Sequence, residues 1–333
     1  MFQAAAVARA WAYGRGYLET VRVPAPVFCV GNLTVGGSGK TPVVAWLADF
    51  LVKKGHRPVV LTRGYGRSSK DITLVANRDG QDFPDREVIG DEPGLLARRL
   101  PGVPLAVGAD RARAAEQAIA AFGPDCFVMD DGFQHHRLYR DRNLLCLDAR
   151  LAHEVWVRGE AAPFLPAGPW RESPGNAARA DALLLTRAER LTEEERTGLR
   201  AALAPLRKPL GFAHYRLSFW DPHAGKPVAA AELAGKPVLA LSGLADPASF
   251  ENSLERLGAR VAVQRHGDHH VFTPADLARA RERAEREGRV IVTTEKDAQR
   301  LPRDFPARVA RLDLEWEDRL WTSVIDSAFA SNS

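Results

Sequence analysis

The sequence of 333 residues predicts an α/β fold with a mostly parallel sheet flanked by helices. Short apolar runs, including those at residues 27–30, 59–62 and 126–129, alternate with helix-like segments, as in successive βα units. The runs are apolar throughout, which is typical of strands covered by helices on both faces. A glycine-rich turn joins the run at 27–30 to a helix-like stretch, and this favours the P-loop NTPase type of the fold.

The other elements of this domain follow the same alternation. Further strands are predicted at 105–107, 144–147 and 183–186, and helices at 43–53, 111–122 and 193–203. Residues 151–180 contain four prolines and predict a long loop in place of a helix. Loops of this length inside a compact domain are usually functional or mobile.

A second, smaller α/β domain is predicted toward the C-terminus, from runs at 238–242, 260–263 and 289–293. A helix with a capping box is predicted to begin at Thr273. Two segments with alternating polarity, 212–220 and 309–316, predict a pair of linking strands. The predicted boundaries are an N-terminal helix at 1–20, a P-loop domain at 21–206, a two-strand linker at 207–224 and 308–320, and the smaller domain at 225–307.

The composition narrows the class of ligand and the compartment. Apolar residues make up 45% and charged residues 26% of the chain, and the net charge is +4. This mild positive charge suits phosphate-bearing ligands or an anionic membrane surface, and nothing in the sequence predicts a nucleic-acid partner. Cys29, Cys126 and Cys146 lie in apolar runs, which predicts buried thiols in a reducing cytoplasm.

The N-terminus permits two interpretations. No apolar run approaches the roughly 18 residues that span a bilayer, and the pattern of a signal peptide is missing. If residues 4–18 are helical, Val7, Trp11 and Leu18 fall on one face, with Arg9 across from them. Such a helix suits an anchor in the membrane interface, and it equally suits a helix packed on the body of the protein.

Residues 31–42 have the setting of a phosphate-binding loop. A glycine-rich turn between strand and helix lets backbone N–H groups surround phosphate oxygens, with Lys40 reaching the β- and γ-phosphates and Thr41 binding Mg²⁺. Thr34 stands where the usual pattern has its first glycine. The predicted nucleotide-binding residues are Thr34, Val35, Gly36, Gly37, Ser38, Gly39, Lys40 and Thr41. The alternative is a glycine-rich turn that binds nothing.

Two acidic pairs are candidate metal ligands or bases. Asp130 and Asp131 end an apolar strand, where P-loop proteins hold Mg²⁺ or its water, and a turn acid is the alternative. Asp91 and Glu92 begin a predicted helix, and the favoured interpretation of Asp91 is that it caps the N-terminus of this helix. A metal-binding or general-base role is the alternative for that second pair.

Histidines and arginines form the remaining candidates. His269 lies in a cluster with His266 and His270, which suggests a histidine that activates a carboxylate, a weak zinc site or surface residues. Arg171, with Glu172, closes the proline-rich loop. Arg63, Tyr65 and Arg67 follow a strand, where arginine suits forked binding of phosphate.

These motifs together resemble the tetraacyldisaccharide 4′-kinase family, the lipid A 4′-kinases of Gram-negative bacteria. The resemblance covers nearly the whole chain, and its motifs occur in family order. They lie at residues 30–42, 62–67, 90–93, 130–135, 165–172, 268–270 and 294–297. In this family serine or threonine is common at the position of Thr34.

The resemblance implies an ATP- and Mg²⁺-dependent kinase that phosphorylates the 4′-hydroxyl of a tetraacylated glucosamine disaccharide 1-phosphate, a lipid A precursor. It also implies a peripheral protein on the cytoplasmic face of the inner membrane, and a hinge that brings His269 to Asp91. The implied catalytic residues are Asp91 as base, His269, Lys40 and Arg171. The implied metal ligands are Thr41, Glu92, Asp130 and Asp131. The substrate-binding candidates are Val7, Trp11, Arg63, Tyr65, Arg67, Gln134, His135 and Glu172.

Two other classes of function stay open at this point. A nucleotide-dependent chaperone or regulatory GTPase would need a guanine-reading element, and residues 186–189 lack the acid and lysine of that element. A nucleotide-gated membrane scaffold would need no catalytic base. A P-loop enzyme with a different small acceptor is the remaining alternative.

Overall fold

The computed structural model describes residues 2–35, 39–79, 84–222, 225–268, 270–302 and 304–330. Two compact units divide the chain. The first comprises Met1–Tyr215 with Leu314–Ser333, and the second comprises Arg216–Asp313.

The strands and helices follow in chain order. The strands are β1 Val27–Gly31, β2 Pro58–Thr62, β3 Thr73–Val75, β4 Leu105–Val107, β5 Cys126–Asp130, β6 Arg142–Asp148, β7 Ala182–Thr186, β8 Leu210–Asp221, β9 Lys226–Val228, β10 Pro237–Ser242, β11 Arg260–Arg265, β12 Val290–Thr294 and β13 Ala307–Trp316. The helices are α1 Phe2–Gly14, α2 Lys40–Lys53, α3 Arg86–Ile89, α4 Asp91–Arg99, α5 Arg111–Phe122, α6 Ala149–Ala152, α7 Glu193–Leu203, α8 Pro247–Arg256, α9 Pro274–Arg286, α10 Glu295–Ala298 and α11 Ser323–Ala330.

The sheet of the first unit confirms the predicted fold class. Its strand order is β8-β7-β6-β1-β5-β2-β4-β3, and every neighbouring pair is parallel except β3 with β4. The predicted strands are all present, and β3 is an antiparallel edge strand that the sequence analysis missed. Since β1 lies between β5 and β6, the loops after these three strands open at one edge of the sheet.

Side chains of β1 show why its sequence is apolar throughout. Phe28 and Val30 pack in a core cluster with α2, α4 and α11. Val27 and Cys29 point into another cluster, which contains residues of α5. The strand therefore buries both faces under helices. The three cysteines are buried and free, as predicted.

The second unit has its own parallel sheet and cores. Its strand order is β11-β10-β12-β13, with each pair parallel, and β9 pairs antiparallel with the part of β8 that lies in this unit. The capping box predicted at Thr273 is confirmed, because its hydroxyl accepts from the Asp276 backbone N–H and the Asp276 carboxylate accepts from the Thr273 N–H. β8 and β13 each have residues in both units.

None of the described helices combines the length and the hydropathy that crossing a bilayer requires. The predicted N-terminal helix is present as α1, and it ends at Gly14. Its Trp11 side chain is 56% exposed and stacks on Tyr17, with the ring centroids 5.3 Å apart.

A buried asparagine fixes the C-terminal turn of α4. Asn77 follows β3, has a positive φ of 50° and is fully buried. Its amide nitrogen lies 3.0 Å from the carbonyl oxygen of Ala97, 2.7 Å from that of Leu100 and 2.9 Å from that of Val103. The two N–H bonds of one side chain thereby serve carbonyls of the last turn of α4 and of the segment that follows it.

Replacement Asn77→Ala is expected to lower the free energy of unfolding by about 2–4 kcal/mol, because it leaves buried carbonyls unpaired and places a Cβ-bearing residue without a polar side chain at positive φ. Urea unfolding followed by circular dichroism measures the loss. Asn252→Ala, at an exposed position of α8, is the control and should unfold as wild type does. Equal midpoints for both variants would contradict this role of Asn77.

Candidate functional site

A left-handed glycine precedes α2 at the end of the predicted phosphate-binding loop. Gly39 precedes α2 with a φ of 74°, in the left-handed region, and Lys40 is the first helical residue. Gly31 ends β1 so close to the next segment that a Cβ there would lie 2.5 Å from the Cβ of Phe133. Gly36, Gly37 and Ser38 lie outside the described residues, so their amides remain predicted ligands.

Residues of the proline-rich loop hold the start of this turn. The Val35 N–H donates to the Pro169 carbonyl at 2.7 Å, and the Arg171 N–H donates to the Leu33 carbonyl at 2.7 Å. Thr34 lies between them, buried, in an antiparallel bridge with Trp170. An extended backbone suits a β-branched residue, which explains threonine where the usual loop has glycine.

Asp130 and Asp131 lie at the carboxyl edge of the sheet, beside this turn. Asp130 ends β5 and is 4% exposed, and its Oδ2 accepts from the Thr62 hydroxyl at 3.2 Å. Asp131 follows with a φ of 48°. Its Oδ1 lies 3.5 Å from Lys40 Nζ, and both of its oxygens lie 3.0 Å from Arg171 Nη1.

The two carboxylates have opposite electrostatic environments. Burial, together with the negative charges of Glu92 and Asp131, raises the pKa of Asp130 to about 7. Burial alone would also raise the pKa of Asp131, but Lys40 and Arg171 hold it below its usual value. At neutral pH, Asp131 is therefore an ion-paired anion, and Asp130 is close to its midpoint.

The donor atoms at this edge fit a Mg²⁺ ion. Carboxylate and hydroxyl oxygens are the ligands that this hard cation prefers. Glu92, Asp130 and Asp131 interact closely enough for the first and third to raise the pKa of the second. The positive charges of Lys40, Arg171 and Arg111 offset part of the negative charge of these acids, and a bound cation would add to this compensation.

The predicted helix cap at Asp91 is wrong. The N-cap of α4 is Gly90, with a φ of 94°, and Asp91 is the first residue of the helix. The backbone of Gly90 packs on the loop after β2, since a Cβ at Gly90 would lie 2.9 Å from the Tyr65 carbonyl oxygen. The start of α4, where Asp91 lies, thus adjoins the loop that carries Tyr65. The Tyr65 side chain is 78% exposed.

Gln134 and His135 follow these carboxylates in the loop after β5. Gln134 Nε2 donates to the Asn32 carbonyl at 2.8 Å, and its Oε1 lies 3.4 Å from Arg171 Nη1. Burial, with the positive charges of Arg111 and Arg140, lowers the pKa of His135 to about 4. His135 is thus a neutral imidazole at physiological pH.

Arg111 belongs to the site, and the sequence analysis missed it. It begins α5 after β4, is 4% exposed, and donates through Nη1 to the Ala109 carbonyl at 3.0 Å. Its charge interacts with Asp130, Asp131 and Arg63. Its Nε has no hydrogen-bond partner among the described residues. The sequence signal that could have found it is its position shortly after β4. Because β4 pairs with β2 and β2 pairs with β5, this position lies near the end of β5.

Two predicted substrate residues form hydrogen bonds that support the fold. Arg67 donates to the Val107 carbonyl at 3.1 Å and to the Asp71 carbonyl at 2.6 Å. Glu172 is buried and accepts from Asn176 at 2.7 Å and from Arg179 at 2.5 Å. These contacts hold the two loops in place, so neither charge is directed at the carboxylates.

The other predicted residues are placed as follows. Arg63 is exposed at the end of β2. His269 and the side chain of Val7 lie outside the described residues. His266 and His270 adjoin Asp276 in the second unit. Their ligand atoms lie within 4.8 Å of one another, so the zinc interpretation stays open, and the carboxylate of Asp276 accepts from His270 at 3.0 Å and from Arg279.

Residues 187–189, where a GTPase would read guanine, form contacts within the protein. Arg187 follows β7 with a φ of 57°, and its Nη1 donates to Asp148 Oδ2 at 2.8 Å. Glu189 accepts from the Tyr215 backbone N–H at 3.3 Å. Both side chains therefore pair within the protein, and this segment offers no support for the GTPase alternative.

Comparisons with known proteins agree with this geometry. The family model for LpxK, tetraacyldisaccharide-1-P 4′-kinase, matches residues 1–330. A tetraacyldisaccharide 4′-kinase of Anaeromyxobacter dehalogenans is 42% identical over 324 residues, which cover 94% of this chain and 84% of the relative. One of Syntrophus aciditrophicus is 36% identical over 301 residues, covering 87% and 79%.

A solved structure is similar over nearly the whole chain. It is that of "apo" form LpxK from Aquifex aeolicus in complex with ATP, with a TM-score of 0.79 and 30% identity, and the match covers 99% of this chain and 96% of that one. Sequence and structure thus agree over both units. The chain belongs to the tetraacyldisaccharide 4′-kinase family.

Proposed function

We propose that the carboxyl edge of the first unit's sheet is where this chain performs the reaction of its family. That reaction transfers the γ-phosphate of ATP to the 4′-hydroxyl of a tetraacylated glucosamine disaccharide 1-phosphate, so the protein is an ATP- and Mg²⁺-using kinase of lipid A biosynthesis. The observation that supports this location is the Asp130-Asp131 pair, held beside Lys40 and Arg171 at the phosphate loop.

The phosphate loop binds the nucleotide in this proposal. Residues 34–41 surround the phosphates with their amides, and Lys40 stabilises the charge that spreads over the transferred phosphoryl group. Thr41, Glu92, Asp130 and Asp131 are the residues that would hold Mg²⁺. When bound, the ion neutralises phosphate charge and orients the phosphates. Lys40 then exchanges its contact with Asp131 for the phosphates.

Asp91 is the proposed general base, which accepts the proton of the 4′-hydroxyl. Its support is its place at the N-terminus of α4, next to Glu92, whose charge acts on Asp130. The first turn of a helix also favours a carboxylate in its ionised, proton-accepting form. His269 is the proposed partner of Asp91, and this role stays a prediction.

Three arginines supply positive charge around the acceptor and the phosphates. Arg171 reaches the same carboxylate as Lys40, from which it can move to a phosphate or to the leaving group. Arg111 is buried beside Asp130, its Nε has no partner in the part of the chain that the structure describes, and Arg63 lies close enough for the charges of the two arginines to interact. We assign both of these to phosphate or substrate binding.

We also propose that the protein is peripheral on the cytoplasmic face of the inner membrane and contacts the lipid through α1 and the residues after it. Trp11, Tyr17 and Leu18 are 56%, 73% and 42% exposed. Arg9 packs on the Tyr13 ring, and its charge adds attraction to anionic lipids. An exposed group of aromatic and apolar side chains with arginines nearby suits a lipid interface.

The transfer reaction is tested with γ-labelled ATP, Mg²⁺ and the tetraacyl disaccharide 1-phosphate in detergent micelles. Wild type should label the lipid at the 4′ position. Asp91→Asn should lower kcat about 10²- to 10⁴-fold with little change in KM for ATP, because it removes the proton acceptor and keeps the nucleotide site.

Asp85→Asn, at an exposed acid that precedes α3, is the matched control and should retain wild-type turnover. Turnover of Asp91→Asn within a few-fold of wild type would exclude Asp91 as the base. ATP hydrolysis by wild type without labelled lipid would contradict the transfer reaction itself.

Removal of the Asp130 charge should stabilise the protein without Mg²⁺ in a pH-dependent way. Since burial raises the pKa of Asp130 to about 7, the folded state keeps a proton between pH 4 and 7 that the unfolded state has lost. Wild-type stability then falls as pH rises through this window. Asp130→Asn lacks that dependence, so its advantage in urea midpoint should be larger at pH 8 than at pH 5.

The control for this measurement is again Asp85→Asn, whose difference from wild type should not change in the same way with pH. A constant difference between Asp130→Asn and wild type from pH 5 to pH 8 would show that Asp130 is an ordinary ionised carboxylate.

Trp11→Glu should weaken sedimentation with anionic vesicles at least about tenfold, because burial of an aromatic side chain in lipid supplies a large part of such binding. Val271→Glu, at a position 59% exposed in the second unit, is the control and should sediment as wild type does. Equal sedimentation of both variants would exclude α1 as the membrane contact.

A further inference from the structure

Tyr215, the last residue of the first unit before Arg216, packs against the turn that opens α2. Its hydroxyl donates to the Gly39 carbonyl, with the two oxygens 3.2 Å apart. A Cβ built at Gly39 would overlap with this hydroxyl. The tyrosine side chain therefore occupies the space that any side chain at residue 39 would need.

The Gly39 carbonyl is a sensitive place for a hydrogen bond. It is the first acceptor of α2, but its helical partner, the Val43 N–H, is 3.5 Å away. Gly39 also has a φ of 74°, and glycine tolerates rotation there more readily than other residues. A rotation at Gly39 would redirect the amides that follow and the side chain of Lys40.

Tyr215 is itself fixed in position. Its backbone N–H donates to Glu189 Oε2 at 3.3 Å, in the turn after β7. Burial raises the pKa of Tyr215 above its usual value, and the charge of Glu189 adds to the rise while that of Arg187 opposes it. The hydroxyl thus keeps its proton and remains a donor throughout the physiological range.

We propose that Tyr215 is a positioning residue for the nucleotide. Its hydroxyl holds the Gly39 carbonyl and so keeps the amides of Lys40 and Thr41, and the Lys40 side chain, in the direction that phosphates require. Tyr215 acts through Gly39 and does not contact the reacting atoms. The inference rests on the nucleotide site proposed above.

Tyr215→Phe tests this role, because it keeps the ring and removes only the donor. Tyr215→Phe loses the hydrogen bond to the Gly39 carbonyl and the one with the Thr186 side chain, and this loss should weaken binding of Mg²⁺ with a non-hydrolysable ATP analogue about 3- to 10-fold. Isothermal titration calorimetry measures the affinity. KM for ATP should rise by a similar factor, while KM for the lipid and the melting temperature stay near wild type.

Tyr139→Phe is the matched control. The Arg22 Cζ lies 3.3 Å from the centroid of the Tyr139 ring, and neither residue has a part in the proposed site. It should bind the analogue as wild type does. Unchanged affinity in Tyr215→Phe, or an equal loss in both variants, would overturn the proposal. A lower kcat at unchanged nucleotide affinity would also overturn the proposal, because that result indicates only a smaller fraction of active enzyme.

A second measurement keeps the hydroxyl and is independent of the stability of Tyr215→Phe. With 3,5-difluorotyrosine at residue 215, the hydroxyl ionises at lower pH than that of tyrosine, and the ultraviolet absorbance of the phenolate reports this ionisation. Affinity for the analogue should fall relative to wild type as pH rises through that ionisation, and a ratio that stays constant through it would overturn the proposal. If wild type does not bind the analogue, the nucleotide site itself is refuted.

Discussion

The compensation of negative charge at the end of β5 is the constraint on which the site depends. Two adjacent carboxylates can lie at a buried sheet edge only where cations or protons offset them. Asp131 is compensated by Lys40 at 3.5 Å and by Arg171 at 3.0 Å. Asp130 is buried among acids, and its pKa rises to about 7. Asp130 thus has less positive charge around it than Asp131, and in the proposed reaction a metal ion adds to its compensation while nucleotide phosphates compete for Lys40 and Arg171.

Tight backbone packing gives this charge arrangement its geometry. Gly31 allows the Asp130–His135 loop to approach β1, and the bond between the Val35 N–H and the Pro169 carbonyl ties the phosphate loop to the proline-rich loop. Arg140 and the ion pair of Glu172 with Arg179 stiffen the same loops. These side chains form their hydrogen bonds and ion pairs within the protein. The charged residues of the motifs therefore fall into two groups, those that face the site and those that hold its loops in place.

The sequence predicted the parts that depend on local pattern. Apolar runs covered on both faces identified the strands of the first unit, and the glycine-rich segment before Lys40 identified the turn between β1 and α2, because backbone conformation there follows from residue type. Arg111 escaped prediction because a lone arginine at a helix start carries no pattern, and only the neighbourhood of β4, β2 and β5 brings it to Asp130. Asp91 was misread as a cap because the positive φ of Gly90 moves the cap one residue back.

The strand order determines which residues lie on each side of the phosphate loop. Because β1 lies between β5 and β6, the phosphate loop opens with Asp130 and Asp131 on one side and with Asp148 and the end of β7 on the other. Asp148 caps α6 and pairs with Arg187, so its charge is used within the protein. Among the described residues, the acids proposed as metal ligands lie on the β5 side. In the proposed reaction that side faces the γ-phosphate and the acceptor, and the β7 side, next to Tyr215, is left for the rest of the nucleotide.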